Sequence, residues 1–224
     1  TKKVKAIGVS SAGPLSDGII KNPPNLPLKN FNIKKFLQDK FKKKVAVEND
    51  ANCVALAEAK LGVKKKNFFV LTLGTGIGGG VVIGGRLYVG EGYGGELGHI
   101  ILNNGKDFEE CWKSSRKLSK KYFGKEMYIY ELLHKKDKKA KKIVENTAVY
   151  LGQGIGTLIN VFDPEIVVLA GGVRECGSIF LNMIKKQTKK YAILPKATPI
   201  VWSKLKHPGT LGASLLIYCS SSVS

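Results

Sequence analysis

Apolar positions along the chain alternate between short runs of β type and longer stripes of helical spacing. Val4 to Val9 interleaves apolar residues with lysine and predicts a strand ending at Ser10-Ser11. The next stretch, Ala12 to Lys29, carries Gly13, Pro14, Pro23, Pro24 and Pro27, which rules out a helix and predicts a long ordered loop. Ile33, Phe36, Leu37 and Phe41 recur at helical spacing, and Val45 to Val47 enters a second strand. A helix then starts before Val54 and stops at Gly62, with Asn49 or Asp50 placed to cap it. Phe68 to Leu73 and Val81 to Ile83 read as buried strands on either side of a glycine run. Beyond a loop at Lys106 to Glu110, Trp112 to Tyr122 predicts a helix ended by Gly124. A long amphipathic helix follows from about Asp137 to Phe162. Gly152 and Gly156 share one of its faces, where they let another backbone come close. Ile166 to Ala170 is a buried strand that runs into Gly171-Gly172 and a helix from Ile179 to Lys190. Ile200 to Trp202 and Leu211 to Tyr218 supply a last strand and helix. The chain is of α/β class.

Composition narrows this in three ways. An apolar content of 43% in 224 residues is ample for a core, yet no run approaches the ~18 apolar residues of a membrane span. The four cysteines, Cys53, Cys111, Cys176 and Cys219, are scattered without metal-ligand spacing, which favours reduced thiols and a cytoplasmic setting. Nothing at the N-terminus reads as a signal peptide. The formal charge of +20 invites a nucleic-acid role, but the excess is lysine in short clusters, with Arg86, Arg116 and Arg174 the only arginines. Bidentate recognition of bases and phosphates favours arginine, so no nucleic-acid partner is expected.

The chemistry concentrates between Leu73 and His99. In Gly74-Thr75-Gly76-Ile77-Gly78-Gly79-Gly80 the missing side chains allow positive φ and close approach, so that several N-H groups can converge on a phosphate, with the Thr75 hydroxyl beside them. Such a run is also what a plain hairpin between two strands would use. Gly94-Gly95-Glu96-Leu97-Gly98-His99 then sets a carboxylate and an imidazole three positions apart. Upstream, Glu48-Asn49-Asp50-Ala51-Asn52 places four polar residues within five positions between a strand and a helix, more than capping alone requires. Gly171-Gly172, beyond the end of a strand, has the setting of nucleotide sites in open α/β sheets.

Taken in order, Ala12-Gly13-Pro14, the ENDAN cluster, LGTGIGGG, GELGH and the late glycine pair resemble the ROK (repressor, open reading frame, kinase) family, within the actin, hexokinase and Hsp70 ATPase group. The resemblance spans nearly the whole chain. It implies a two-lobed actin-like, ribonuclease H-like fold: an N-terminal lobe over 1–62, a C-terminal lobe over 63–209, and a final helix, 210–224, that returns to the first lobe. It implies an ATP- and magnesium-dependent hexose kinase, cytoplasmic and homodimeric. Asp50 would take the proton of the sugar 6-hydroxyl. Gly13, Asn49, Glu96, His99 and Glu110 would contact the sugar; Asn25 is a further candidate by the resemblance, though its place after Pro24 favours a turn residue. Gly74, Thr75, Gly76 and Gly78 would hold the phosphates, and Gly171 and Gly172 the nucleoside. The same family includes sugar-sensing repressors, which carry a helix-turn-helix domain ahead of the first strand. A sugar-binding relative without catalysis is a further alternative.

Two departures from the family pattern shape the expectations. Family members commonly follow GH with a CxCGxxGC loop whose three cysteines join the histidine on a structural zinc. Here ten positions separate His99 from Glu110 and none is cysteine. No zinc is therefore expected, and His99 should be free for the sugar. The family's opening hairpin with its DxGGT-like motif is also missing before Lys5. The N-terminal lobe is accordingly expected to be incomplete, with an exposed sheet edge, in a record of a longer protein.

Overall fold

The alternation near the N-terminus settles into strand β1 (Ala6–Ser11), two residues later than Val4. The segment read as a loop contains two short strands, β2 (Leu15–Ser16) and β3 (Ile19–Ile20), and β3 pairs on to β4 (Phe31–Asn32). Leu15 and Ile20 are buried, which anchors β2 and β3. Helix α1 (Ile33–Phe41) follows, capped by the Asn32 side chain on the Lys35 N-H. Strand β5 (Lys44–Asn49) pairs in parallel with β1, Ala6 opposite Lys44 through Ser11 opposite Asn49, and leads directly into α2 (Asp50–Lys60). Strands β6 (Phe68–Leu73), β7 (Ile77–Ile83) and β8 (Arg86–Tyr88) come next. After a 3₁₀ turn at Leu97–His99, β9 (Ile101–Asn103) and β10 (Lys106–Asp107) form a small antiparallel pair. The remaining elements are α3 (Phe108–Phe123), α4 (Ile129–His134), α5 (Lys138–Phe162), β11 (Ile166–Ala170), a 3₁₀ turn at Gly172–Cys176, α6 (Gly177–Thr188), β12 (Ile200–Trp202) and α7 (Pro208–Leu215).

This computed structural model describes residues 4–21 and 27–218, so Asn25 and Cys219 lie outside the described residues. The chain divides into two compact units. The first holds the described residues of Thr1–Val70, Gly79–Gly95 and Lys204–Ser224, and the second Leu71–Gly78 and Glu96–Ser203.

In the first unit α7 packs on β1 and α2. Close approach is possible because Gly212 has no side chain: a Cβ there would stand 1.8 Å from the Cys53 carbonyl oxygen. Cys53, Leu56, Ala213 and Leu216 form the resulting apolar cluster. Among the described residues β1 pairs with β5 alone. The end of β7 pairs antiparallel with β8 through Val81 opposite Tyr88. In the second unit the strand order is β12-β11-β6-β7, with Leu71–Leu73 and Ile77–Gly78 as its share of β6 and β7. Helix α5 lies against α3, α4 and α6. Its glycines serve packing, since a Cβ at Gly152 would meet the Gln187 side chain at 2.4 Å and one at Gly156 the Tyr191 side chain at 2.6 Å.

Two sequence expectations need correction. The segment Lys106 to Glu110 is not a loop, because β10 occupies its first two residues and α3 begins at Phe108. Asp107 accepts from the Glu110 N-H at 2.7 Å while Glu110 accepts from the Asp107 N-H at 3.2 Å, a reciprocal cap that starts the helix four residues earlier than Trp112. The glycine run is also shorter as a loop than it reads. Strand β7 begins at Ile77, so Gly78, Gly79 and Gly80 are strand residues, and none of the glycines from Gly74 to Gly80 takes positive φ. Gly80 is glycine for packing, its hypothetical Cβ falling 2.7 Å from both the Ala51 carbonyl and the Ala55 side chain.

Candidate active site

In the first unit the polar cluster forms where β5 hands over to α2. Asn49, not Asp50, is the cap: its Oδ1 accepts from the N-H groups of Ala51 at 2.9 Å and Asn52 at 3.3 Å. Its Nδ2 donates to the Gly13 carbonyl at 3.4 Å, so Gly13, with φ +87°, Asn49 and Asp50 stand together. Glu48 accepts from the Asn49 N-H and from Asn52 Nδ2 at 2.8 and 3.1 Å. Asn52 is buried, and among the described residues its Oδ1 has no hydrogen-bond donor, an acceptor that burial makes costly to leave unmet. Asp50 keeps accessible surface at the helix start, yet crowding around the carboxylate strips enough solvent to raise its pKa. Hydrogen bonding from the Ala51 N-H works the other way. Cys53, one turn along, is no nucleophile, since burial pushes its thiol up to about 12.

The second unit gathers Glu96, His99 and Glu110. Gly98 seats this segment on the start of β7, where a Cβ would meet the Ile77 carbonyl oxygen at 2.3 Å. His99 Nδ1 is hydrogen-bonded to Asp107 Oδ2 at 2.9 Å, which orients the ring. That bond raises the imidazole pKa against the opposing effect of burial, helped by the negative charges of Asp107, Glu109 and Glu96. Burial alone would raise Asp107, but the Glu110 N-H and His99 outweigh it and hold the carboxyl below its ordinary value. His99, Asp107 and Glu110 are thus linked side by side, while Glu96 opens the 3₁₀ turn that carries His99, its backbone carbonyl accepting from the His99 N-H at 3.1 Å.

The same unit contains two glycine turns at the ends of neighbouring strands. After β6, Gly74 and Thr75 are exposed, and a Cβ on Gly74 would touch nothing within 4 Å. After β11, Gly171 has φ +98°, and a Cβ on Gly172 would also meet open space. Between them is a cavity of about 240 Å³ lined by Leu73, Gly74, Trp112, Tyr128, Gly172 and Glu175, among others. Tyr128 and Tyr130 stack beside it, ring centroids 6.0 Å apart and planes 11° from parallel. The aromatic faces suit a flat heterocycle, and the open turn suits an anion.

The ROK family model matches residues 1–219. The chain belongs to the ROK family. It is 31% identical over 213 residues to the xylose repressor of Bacillus spizizenii, covering 87% of this chain and 56% of that protein's length. Among solved structures, the ROK hexokinase of Thermus thermophilus superposes with a TM-score of 0.86 at 33% identity, over 96% of this chain and 79% of the other. A ROK glucokinase from Streptomyces griseus, solved with glucose and AMPPNP, gives 0.83 at 26% identity, over 96% and 81%. The fold is therefore the mixed α/β fold of ROK sugar kinases.

Reading motifs in order misses three side chains that hold the first glycine turn of this ROK chain. All three come from α3. Glu109 Oε2 accepts from the Ile77 N-H at 2.8 Å, Trp112 Nε1 donates to the Gly74 carbonyl at 3.0 Å, and Arg116 donates to the Thr75 carbonyl. Spacings of three and seven residues place them on one helical face, a signal present in the sequence but meaningful only once the face has a neighbour. Among the described residues no group of three or more His, Cys, Asp or Glu could hold a metal ion.

Proposed function

We propose that this ROK protein is an ATP-dependent hexose kinase of the cytoplasm, acting as a homodimer on the 6-hydroxyl of glucose, a related hexose or an N-acylhexosamine. The observation that carries the reading is the division of labour at the start of α2. Asn49 does the capping, so capping does not account for Asp50, and desolvation raises the pKa of its carboxylate toward the range of a general base. Asp50 would accept the hydroxyl proton as the sugar oxygen attacks the terminal phosphorus. The new O–P bond forms as the bond from that phosphorus to the bridging oxygen breaks, releasing ADP. Gly13, Asn49, Glu96, His99 and Glu110 would supply the polar partners by which hexoses are told apart. Gly74, Thr75, Gly76 and Gly78 would take the phosphates, and Gly171 and Gly172, with the adjoining aromatic cavity, the nucleoside. Magnesium would neutralise phosphate charge and be held by the phosphate oxygens.

Asp50→Asn tests the assignment. Loss of the base should lower kcat by ~10²-fold or more while sugar affinity stays within about twofold, and a variant retaining more than about a tenth of wild-type turnover would reduce Asp50 to a structural residue. The pH profile offers a second check. Because the ionised form is the active one and its pKa is raised, the acid limb of kcat/KM should lie above the ordinary carboxylate value of 3.8.

The likeness to a xylose repressor gives a second reading, a sugar-sensing regulator. It requires sugar binding without ATP turnover.

A further inference from the structure

We infer that helix α3 is a phosphate-positioning element: Trp112 and Arg116 turn the Gly74–Ile77 segment so that two successive N-H groups, of Thr75 and Gly76, face an anion. The inference rests on the proposed placement of nucleotide phosphates at this turn. In a trans peptide the carbonyl and the N-H point in opposite directions. The indole of Trp112 holds the Gly74 carbonyl, so the N-H of Thr75, on the same peptide plane, is aimed away from α3. Arg116 holds the Thr75 carbonyl and thereby aims the N-H of Gly76 the same way. The Gly76 carbonyl accepts from the Gly74 N-H at 3.0 Å. All three carbonyls that could repel a phosphate are thus engaged within the protein.

Glu109 closes the segment by taking the Ile77 N-H, and Lys113 pairs with Glu109 one turn along α3. That pairing neutralises a carboxylate that would otherwise oppose phosphate charge. Trp112 is only 6% exposed, so its ring is fixed and its donor pre-aimed. The residue type at 116 fits as well. The chain has 37 lysines and arginines and builds nearly all of its charge from lysine, yet an arginine occupies this position, where a planar guanidinium can keep one N-H on a carbonyl while its other donors stay available. Glycine at 76 serves the same device, since a Cβ there would stand 2.0 Å from Glu109 Oε2.

The test compares the affinities of ATP and adenosine by calorimetry in the wild-type protein and in Arg116→Met, Arg116→Lys, Trp112→Phe and, as a control for loss of an arginine charge, Arg86→Met on β8. Arg116→Met should weaken ATP by about fivefold or more while adenosine changes less than about twofold, as expected for losing a hydrogen bond that acts on phosphate alone. Arg116→Lys should recover part of the loss, and if Arg116→Met proves unstable the lysine variant carries the comparison. Trp112→Phe keeps an aromatic side chain but removes the donor and part of the indole's bulk at the cavity wall, a loss of packing that adenosine and ATP share, so the ratio of ATP to adenosine affinity should fall there too. An unchanged ratio in both Arg116→Met and Trp112→Phe would overturn the inference. A fall in Arg116→Met alone would make Arg116 a direct phosphate contact, which also overturns the positioning role. Wild-type protein that binds adenosine and ATP equally would instead refute the placement of phosphates at this turn, and the inference with it.

Discussion

The two glycine turns of the second unit stand at the ends of adjacent strands, yet they use glycine for opposite reasons. The turn after β6 belongs to the richer motif, but none of its glycines needs a left-handed backbone. Gly76 makes room for a carboxylate, Gly80 for helix α2, and Gly74 leaves space empty. The plainer pair after β11 contains the strained residue: Gly171 has φ +98° and ψ −177°, a region open to glycine almost alone, and a Cβ there would be 2.4 Å from the Leu73 carbonyl oxygen. The number of glycines in a motif therefore says little about which of them shape the backbone. Of the two turns, one is fixed from outside by α3 and the other by its own dihedral angles.

That contrast predicts a graded series of alanine substitutions. Gly171→Ala should cost most, about 3 kcal/mol from backbone strain, a fall in melting temperature of roughly 6–12 °C for a chain of this size. Backbone on both sides leaves no cheap relaxation. Gly76→Ala should be intermediate, because the obstructing atom is the end of a side chain that can swing aside. The loss is then the Glu109 bond to Ile77, worth about 1–2 kcal/mol, with a melting temperature lower by roughly 2–8 °C. Gly74→Ala should leave the melting temperature within about 1 °C, since neither dihedral strain nor contact opposes the methyl. It should nevertheless weaken ATP by about fivefold, for the methyl enters the space from which a phosphate would approach. If Gly74→Ala and Gly171→Ala were equally destabilising, the distinction between the two turns would collapse.

How much of this can be read from sequence depends on the range of the forces involved. The bounds of Phe68–Leu73, Ile166–Ala170 and Ile200–Trp202 are legible to the residue, as these are buried runs that flanking polar or glycine positions cut off sharply. The α2 cap is legible as a choice between Asn49 and Asp50. Only the geometry of two N-H groups on Asn49 Oδ1 decides it. The early start of α3 is encoded in Asp107-Phe108-Glu109-Glu110, a capping pattern that the neighbouring Asn103-Asn104-Gly105 turn disguises as loop. The Asp107 partner of His99 and the reach of α3 to the first glycine turn are illegible. They join residues 8 to 41 positions apart through tertiary packing, which no local pattern records.

The central claim is that this ROK chain transfers phosphate from ATP to a hexose, and a coupled assay of ATP consumption across hexoses and N-acetylhexosamines tests it most directly. Saturable, sugar-dependent ADP release is expected with at least one of them, abolished in Asp50→Asn. Hexose binding seen by calorimetry with no sugar-dependent ADP release, in wild type and variant alike, would contradict it and favour a sugar sensor.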